Sequence, residues 1–207
     1  TTCLILFAAM ISAAGRNVAK PTVDAVGITL VSDASVPTNV TSAVATHLHQ
    51  TLFVPVHTAA ISVEHTTDIE SLAKTCASSR ARNDVCVIAL FKKLKGNGFI
   101  FWNEYKTTLI GISEYQEQGG AREDTTKQAD LIQRLQKEAV RGVGYCLGLP
   151  PCPMPRCALF RQRTDKELDE KGNTPCPPCQ IRAEQLLHRA GAALVLPGAP
   201  NTPPSKK

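Results

Sequence analysis

The chain is poor in several things that would have defined it. Phe, Trp and Tyr make up 5% of it, with a single Trp, and no aromatic residues interleave with the basic ones. That leaves no stacking platform for single-stranded nucleic acid, and no RNA-binding signature motif is present. There are five histidines, His47, His49, His57, His65 and His188, and none lies within the cysteine-rich C-terminal third except the last. No apolar run reaches the roughly 20 residues that span a bilayer. The longest charge-free apolar stretch, CLILFAAMISAA over residues 3–14, is too short for that. It reads as a signal-peptide core, the tail of a targeting segment, or a short helix buried against a partner. Acidic residues are missing before Asp24, whereas Arg16 and Lys20 are basic, the bias of organelle-targeted N-termini. No internal repeat occurs.

What is present suits one globular α/β unit. The 207 residues are 43% hydrophobic, with a net charge of +5, enough chain to bury a real core. The mild basic balance permits contact with RNA or anionic lipid without requiring it. Apolar patterning predicts strands over residues 25–32, 53–63, 84–91, 98–102 and 107–113. The run DVCVIALF is apolar throughout, so it is expected at the sheet centre, covered on both faces. Helices are expected from Pro37 to Leu52, from Asp68 to Cys76, from a T-x-x-Q cap at Thr125 and Gln128 to near Gly148, and over residues 180–190. His47-x-His49 places two histidines on different sides of a helix, so both read as surface residues. Cys76 and Cys86 read as buried thiols, Lys92, Lys93 and Lys95 as a solvated turn. Asn39-Val40-Thr41 matches a glycosylation acceptor, a triplet frequent by chance.

The informative stretch runs from Glu138 to Cys179. Four residues separate Cys152 from Cys157 and two separate Cys176 from Cys179, with eighteen residues between the pairs. Two short cysteine pairs on a loop of about 15–20 residues are the spacing of a structural four-thiolate zinc site. Pro153, Pro155, Pro177 and Pro178 fix the backbone beside those thiols.

The same stretch resembles the archaemetzincin family of zinc metalloproteases. The family pattern is H-E-x-x-H-x-x-G-x-x-H-C, then x4-C-x-M, then a loop, then C-x-x-C. Here the family glycine matches Gly148 and the four structural cysteines match Cys152, Cys157, Cys176 and Cys179. The segments NDVCVIALFKKLKGNGFIFWNE and TTLIGISEY resemble the family's central strands. The resemblance covers residues 24–190. It implies a metzincin-like mixed sheet with flanking helices and a C-terminal four-cysteine zinc-stapled lobe. The organisation it implies is an N-terminal apolar extension over 1–23, an α/β core over 24–148, a zinc-knuckle lobe over 149–192 and an extended Pro-rich tail over 193–207.

The departures from the pattern set the functional expectation. The family's metal histidines fall on Arg141, Tyr145 and Pro151, its general-base glutamate on Gly142, and its Met-turn methionine on Leu159. A hydrolytic zinc needs three protein ligands, an open water position and a carboxylate base. A cation repels zinc, a phenol ligates poorly at neutral pH, and glycine and proline offer no ligand. Cys146 is one thiol and makes no site alone. The expectation is a non-catalytic pseudoenzyme with one structural zinc. It would serve as a protease-derived accessory subunit, contacting other protein subunits of a large mitochondrial assembly. A membrane-bound respiratory-type complex is expected ahead of a ribosome, with residues 3–14 near lipid or buried in protein, and a cytoplasmic location is the alternative. Two readings stand beside it: an active zinc metallopeptidase with atypical ligands, and an RNA-contacting ribosomal subunit.

Overall fold

The structure, a computed structural model, describes residues 26–62, 68–94, 98–116 and 124–192. The apolar run 3–14, the tail 193–207, residues 117–123, His65, Lys95 and the side chain of Thr125 lie outside the described residues.

The chain order is β1 (Ile28–Asp33), α1 (Thr38–Leu52), β2 (Val56–Ile61), α2 (Ile69–Ser78), β3 (Val87–Phe91), β4 (Phe99–Trp102), β5 (Thr107–Gly111), a 3-10 turn at Ile112–Tyr115, α3 (Asp124–Cys146), α4 (Asp165–Glu170) and α5 (Pro177–Arg189). Five strands form one mixed sheet in the order β2-β1-β3-β5-β4. β1 pairs in parallel with β2 and β3, β3 in parallel with β5, and β4 lies antiparallel on β5 at the edge.

Side-chain alternation divides β3 between two cores. Ile88 and Leu90 point into the larger core, where Val40, Val44 and Leu48 of α1 meet Leu135, Ala139 and Val143 of α3. Val87, Ala89 and Phe91 point to the other face, covered by Leu72, Ala73 and Cys76 of α2. The uninterrupted apolar run is therefore buried on both sides. Burying one such Ile or Leu contributes about 1.5–3 kcal/mol. Cys86 lies in the larger core and Cys76 in the smaller, so the sheet separates them and no disulfide joins them.

The second strand is shorter than its sequence pattern. Phe53 takes a left-handed conformation (φ 56°) as the cap of α1, its N–H donating to the His49 carbonyl. The pattern over 107–113 also breaks early, because Ile112 and Ser113 turn into the 3-10 segment. α4 was not anticipated, although Thr164-x-x-Glu167 is a capping pattern. The Glu167 amide donates to Thr164 Oγ1 at 3.2 Å, and the Arg163 amide to Glu167 Oε2 at 2.6 Å. α5 begins at Pro177, earlier than expected, with both prolines in its first turn, where their missing N–H groups cost no helical bond.

α3 ends as its glycine implies. Gly148 has φ 85°. The Leu149 amide reaches the Gly144 carbonyl at 2.9 Å, the closing bond of a Schellman motif. This turn delivers the chain to Cys152. Beyond it, Cys157, Leu159, Leu168, Ala183 and Leu187 pack into the larger core rather than forming one of their own.

Candidate functional site

The four thiols are assembled from two turns. In the first, Cys152 and Cys157 flank a loop closed by the Cys157 amide on the Met154 carbonyl at 3.0 Å. The Cys152 amide bonds the Leu159 carbonyl at 3.1 Å, locking the loop to the strand-like segment behind it. In the second, Cys176 is the N-cap of α5 and Cys179 sits in its first turn. The four Sγ atoms lie within 4.8 Å of one another, and Cys152 and Cys176 are 3.7 Å apart. A tetrahedron with Zn–S bonds near 2.3 Å has S–S edges of about 3.8 Å.

Backbone amides already point at the sulfurs. Met154 N–H faces Cys152 Sγ at 3.5 Å, Leu159 N–H faces Cys157 Sγ at 3.4 Å, and Cys176 N–H faces Cys157 Sγ at 3.3 Å. Such donors stabilise thiolate. Burial holds the Cys157 and Cys179 thiols above the usual range. Burial opposes ionisation at Cys176 too, but the Cys179 amide and neighbouring thiols outweigh it and bring Cys176 below. Four clustered thiols cannot all ionise without a cation among them. The donor set fits one structural zinc with no position open for water.

Of the positions read as vestigial, Arg141, Gly142 and Tyr145 lie upstream on α3, and Pro151 lies beyond its end, directly before Cys152. Arg141 does not face solvent. It donates from Nη2 to Glu138 Oε2 and from Nη1 to Gln162 Oε1 at 2.6 Å. Its guanidinium lies 3.9 Å from the centroid of the Phe99 ring. Tyr145 packs edge-on to Phe99, centroids 6.0 Å apart, and burial raises its phenol pKa. Gly142 faces the sheet: a Cβ there would stand 2.9 Å from Oγ1 and Cγ2 of the buried Thr108. Gly144 likewise admits Leu159, whose Cδ2 would be 2.9 Å from an added Cβ. Pro151 lines the groove in front of Arg141, with Phe99, Phe101 and Arg161.

Glu138 is the residue that sequence reading missed. It is fully buried and carries the network. Oε1 accepts from Lys171 Nζ at 2.8 Å and from Gln162 Nε2 at 2.8 Å, while Oε2 takes Arg141. Lys171, also fully buried, bonds Gln162 Oε1 at 2.9 Å. Burial drives the Lys171 pKa down to about 8, against the pull of the Glu138 charge. A usable signal existed: Glu138 lies three residues before Arg141, on the same helix face. Lys171 gave none, since nothing local marks an α4-end lysine as buried.

Among the described residues, no histidine joins the four-cysteine cluster. His47 Nε2 is 2.9 Å from the Asn173 carbonyl, His49 Nδ1 is 2.8 Å from the Val54 carbonyl, and His57 Nδ1 is 2.9 Å from Asp84 Oδ1.

A sheet with one antiparallel edge strand, a long helix behind it and a four-cysteine cluster after the helix is a specific combination. The chain has the archaemetzincin fold. It superposes on archaemetzincin from Methanopyrus kandleri with TM-score 0.65 and 16% identity, covering 82% of this chain and 99% of that one. A zinc-dependent peptidase from Methanocorpusculum labreanum gives TM-score 0.62 and 18% identity, over 76% of this chain and 100% of that one. Archaemetzincin from Archaeoglobus fulgidus, complexed with malonate, gives 0.55 and 17%, over 75% and 99%. No protein-family model and no curated protein matches the sequence. At these identities the likeness is one of fold.

Proposed function

We propose that this chain is a non-catalytic, protease-derived binding domain that serves as an accessory subunit of a larger protein assembly. The observation that supports it is the buried polar network at the positions of the old chemistry. Arg141 turns into the protein to pair with Glu138, and the buried Lys171 satisfies the same carboxylate. Hydrolysis would need three ligands, an open water position and a base. Arg141, Gly142, Tyr145 and Pro151 offer none of them, and a guanidinium now stands beside the groove.

The surface suited to binding is retained. β4 is an edge strand, able to accept a partner's strand through its free backbone groups. The groove beside it, about 650 Å3, is lined by Phe99, Phe101, Pro150 and Pro151, with Arg161 exposed on its wall. Among the described residues, Arg161 makes no ion pair and no carboxylate lines the groove. We take a mitochondrial membrane-bound complex as the first assembly to examine, on the strength of the apolar run 3–14 and the acid-free N-terminal bias.

Two measurements test this. Fractionation of cells carrying the tagged chain should show it comigrating with a membrane complex in fixed stoichiometry. A free cytosolic monomer rejects the proposal, and comigration with ribosomal RNA rejects the choice of assembly. Chelator-sensitive cleavage of a peptide library by the purified chain rejects the non-catalytic reading.

A further inference from the structure

A second cavity opens on a different part of the sheet. Strand order reverses between β1 and β3: the chain leaves β1 toward β2, and leaves β3 toward β5 and β4. At such a reversal the connections diverge. They leave a crevice outside the carboxyl ends of the strands, the usual place for ligands in open α/β sheets. Here the crevice is a cavity of about 420 Å3, bounded by Ser35 after β1, Lys92 after β3, Ile112 after β5, Val40 of α1, and Lys127 and Leu131 of α3. That volume holds a small organic molecule. It shares no lining residue with the groove beside β4.

We propose that this crevice is a binding site for a small organic phosphate, a compact apolar body bearing one phosphate group. The walls argue for the apolar body: Val40, Ile112 and Leu131 come from three elements and face one space. The charge argues for the anion. Lys92, after β3, and Lys127, on α3, line the cavity from two sides, and no carboxylate is among its described lining residues. Asp33, at the end of β1, is turned onto the Ser35 hydroxyl. Lys92 makes no ion pair among the described residues, so its ammonium is available. The amino end of α1 opens on the same space without an acidic residue in its first turn, which adds to the positive potential. Lysines present compact point charges suited to a phosphate, whereas carboxylates are matched by the planar fork of arginine. The sequence alone read Lys92 as part of a solvated turn. Only the sheet order brings it opposite α3.

Calorimetric titration of the zinc-loaded full chain at low salt tests this, with phenyl phosphate as probe and phenol, inorganic phosphate and benzoate as controls. We expect one saturable site for phenyl phosphate, with each control at least about tenfold weaker. Lys92→Gln and Lys127→Gln should each weaken binding by about tenfold, the worth of one charged hydrogen bond. Lys93→Gln, next to Lys92 but outside the cavity lining, should leave binding unchanged. Zinc content and circular dichroism establish that each variant folds. Absence of saturable binding up to about 10 mM phenyl phosphate overturns the site. So does an equal loss in Lys93→Gln. Phenol binding as tightly overturns the anion requirement, and benzoate binding as tightly overturns the choice of phosphate. None of these outcomes bears on the accessory role proposed above, which rests on other residues.

Discussion

Replacing Glu138 by Gln should be among the most damaging conservative changes in the chain. The side chain keeps its shape and loses its charge. Glu138 is fully buried, between a fully buried Lys171 and an Arg141 side chain only 7% exposed. Without the carboxylate, two cations remain inside with no anion between them. Removing one partner of a buried pair costs about 3–5 kcal/mol, against a total stability of about 5–15 kcal/mol. The variant should fold, with its urea midpoint lowered by about 1–2 M. The loss should also depend on pH. Lys171 titrates near 8 in the folded chain, below the ordinary lysine value of 10.5. Loss of the Glu138 charge lowers it further, because that charge favours the ammonium. A lowered folded pKa means the native state binds fewer protons than the unfolded one, so the cost falls as pH rises. At pH 6.5, where the unmodified chain still holds Lys171 charged, the penalty is the larger. At pH 9.5 Lys171 is largely neutral with or without Glu138, and the loss should shrink to that of the hydrogen bonds, about 1–2 kcal/mol. Urea denaturation at both pH values, with zinc in excess, measures this. Adding Lys171→Met should recover part of the loss, with a coupling of about 2 kcal/mol. A pH-independent loss below about 1 kcal/mol, additive with Lys171→Met, refutes the network as drawn.

The unmodified chain should gain stability between pH 8 and about 10, since burial depresses both Lys171 and Lys137 and the unfolded state holds those protons longer; a flat profile over that window contradicts the assignment. Metal analysis should give one zinc per chain, falling to none in Cys152→Ser plus Cys176→Ser. Chelation should unfold the region after Gly148, because zinc binding there is folding free energy, and hydrogen exchange confined elsewhere would count against it. Gly142→Glu, which returns the missing base, should restore no peptidase activity, as ligands and base act together. It should also destabilise by about 1–3 kcal/mol through the clash with Thr108. Thr108→Ala should relieve part of that loss, and an unchanged urea midpoint for Gly142→Glu would show that α3 stands farther from β5.

How much of this was legible in the sequence depends on how local each signal is. The strand at Val87–Phe91, the helix ending at Gly148 and the two cysteine turns are written in patterns a few residues long: an unbroken apolar run, a 3.6-residue rhythm closed by glycine, thiols at knuckle spacing. Each is fixed by backbone geometry acting within a segment, so these elements and the four-cysteine cluster could be read directly. That Arg141, Gly142, Tyr145 and Pro151 include no histidine and no carboxylate was equally visible. The sequence could not say what Arg141 does instead, because Gln162 and Lys171 are 21 and 30 residues away (162 − 141 and 171 − 141). Their convergence on Glu138 depends on how α4 folds back over α3, a matter of long-range packing. The same holds for Lys92, a loop lysine by sequence, which borders a cavity because β1 and β3 are neighbours in the sheet. Local periodicity specifies an element and its faces; which charges those faces bring together is decided only when the sheet order is set and burial removes water from between them.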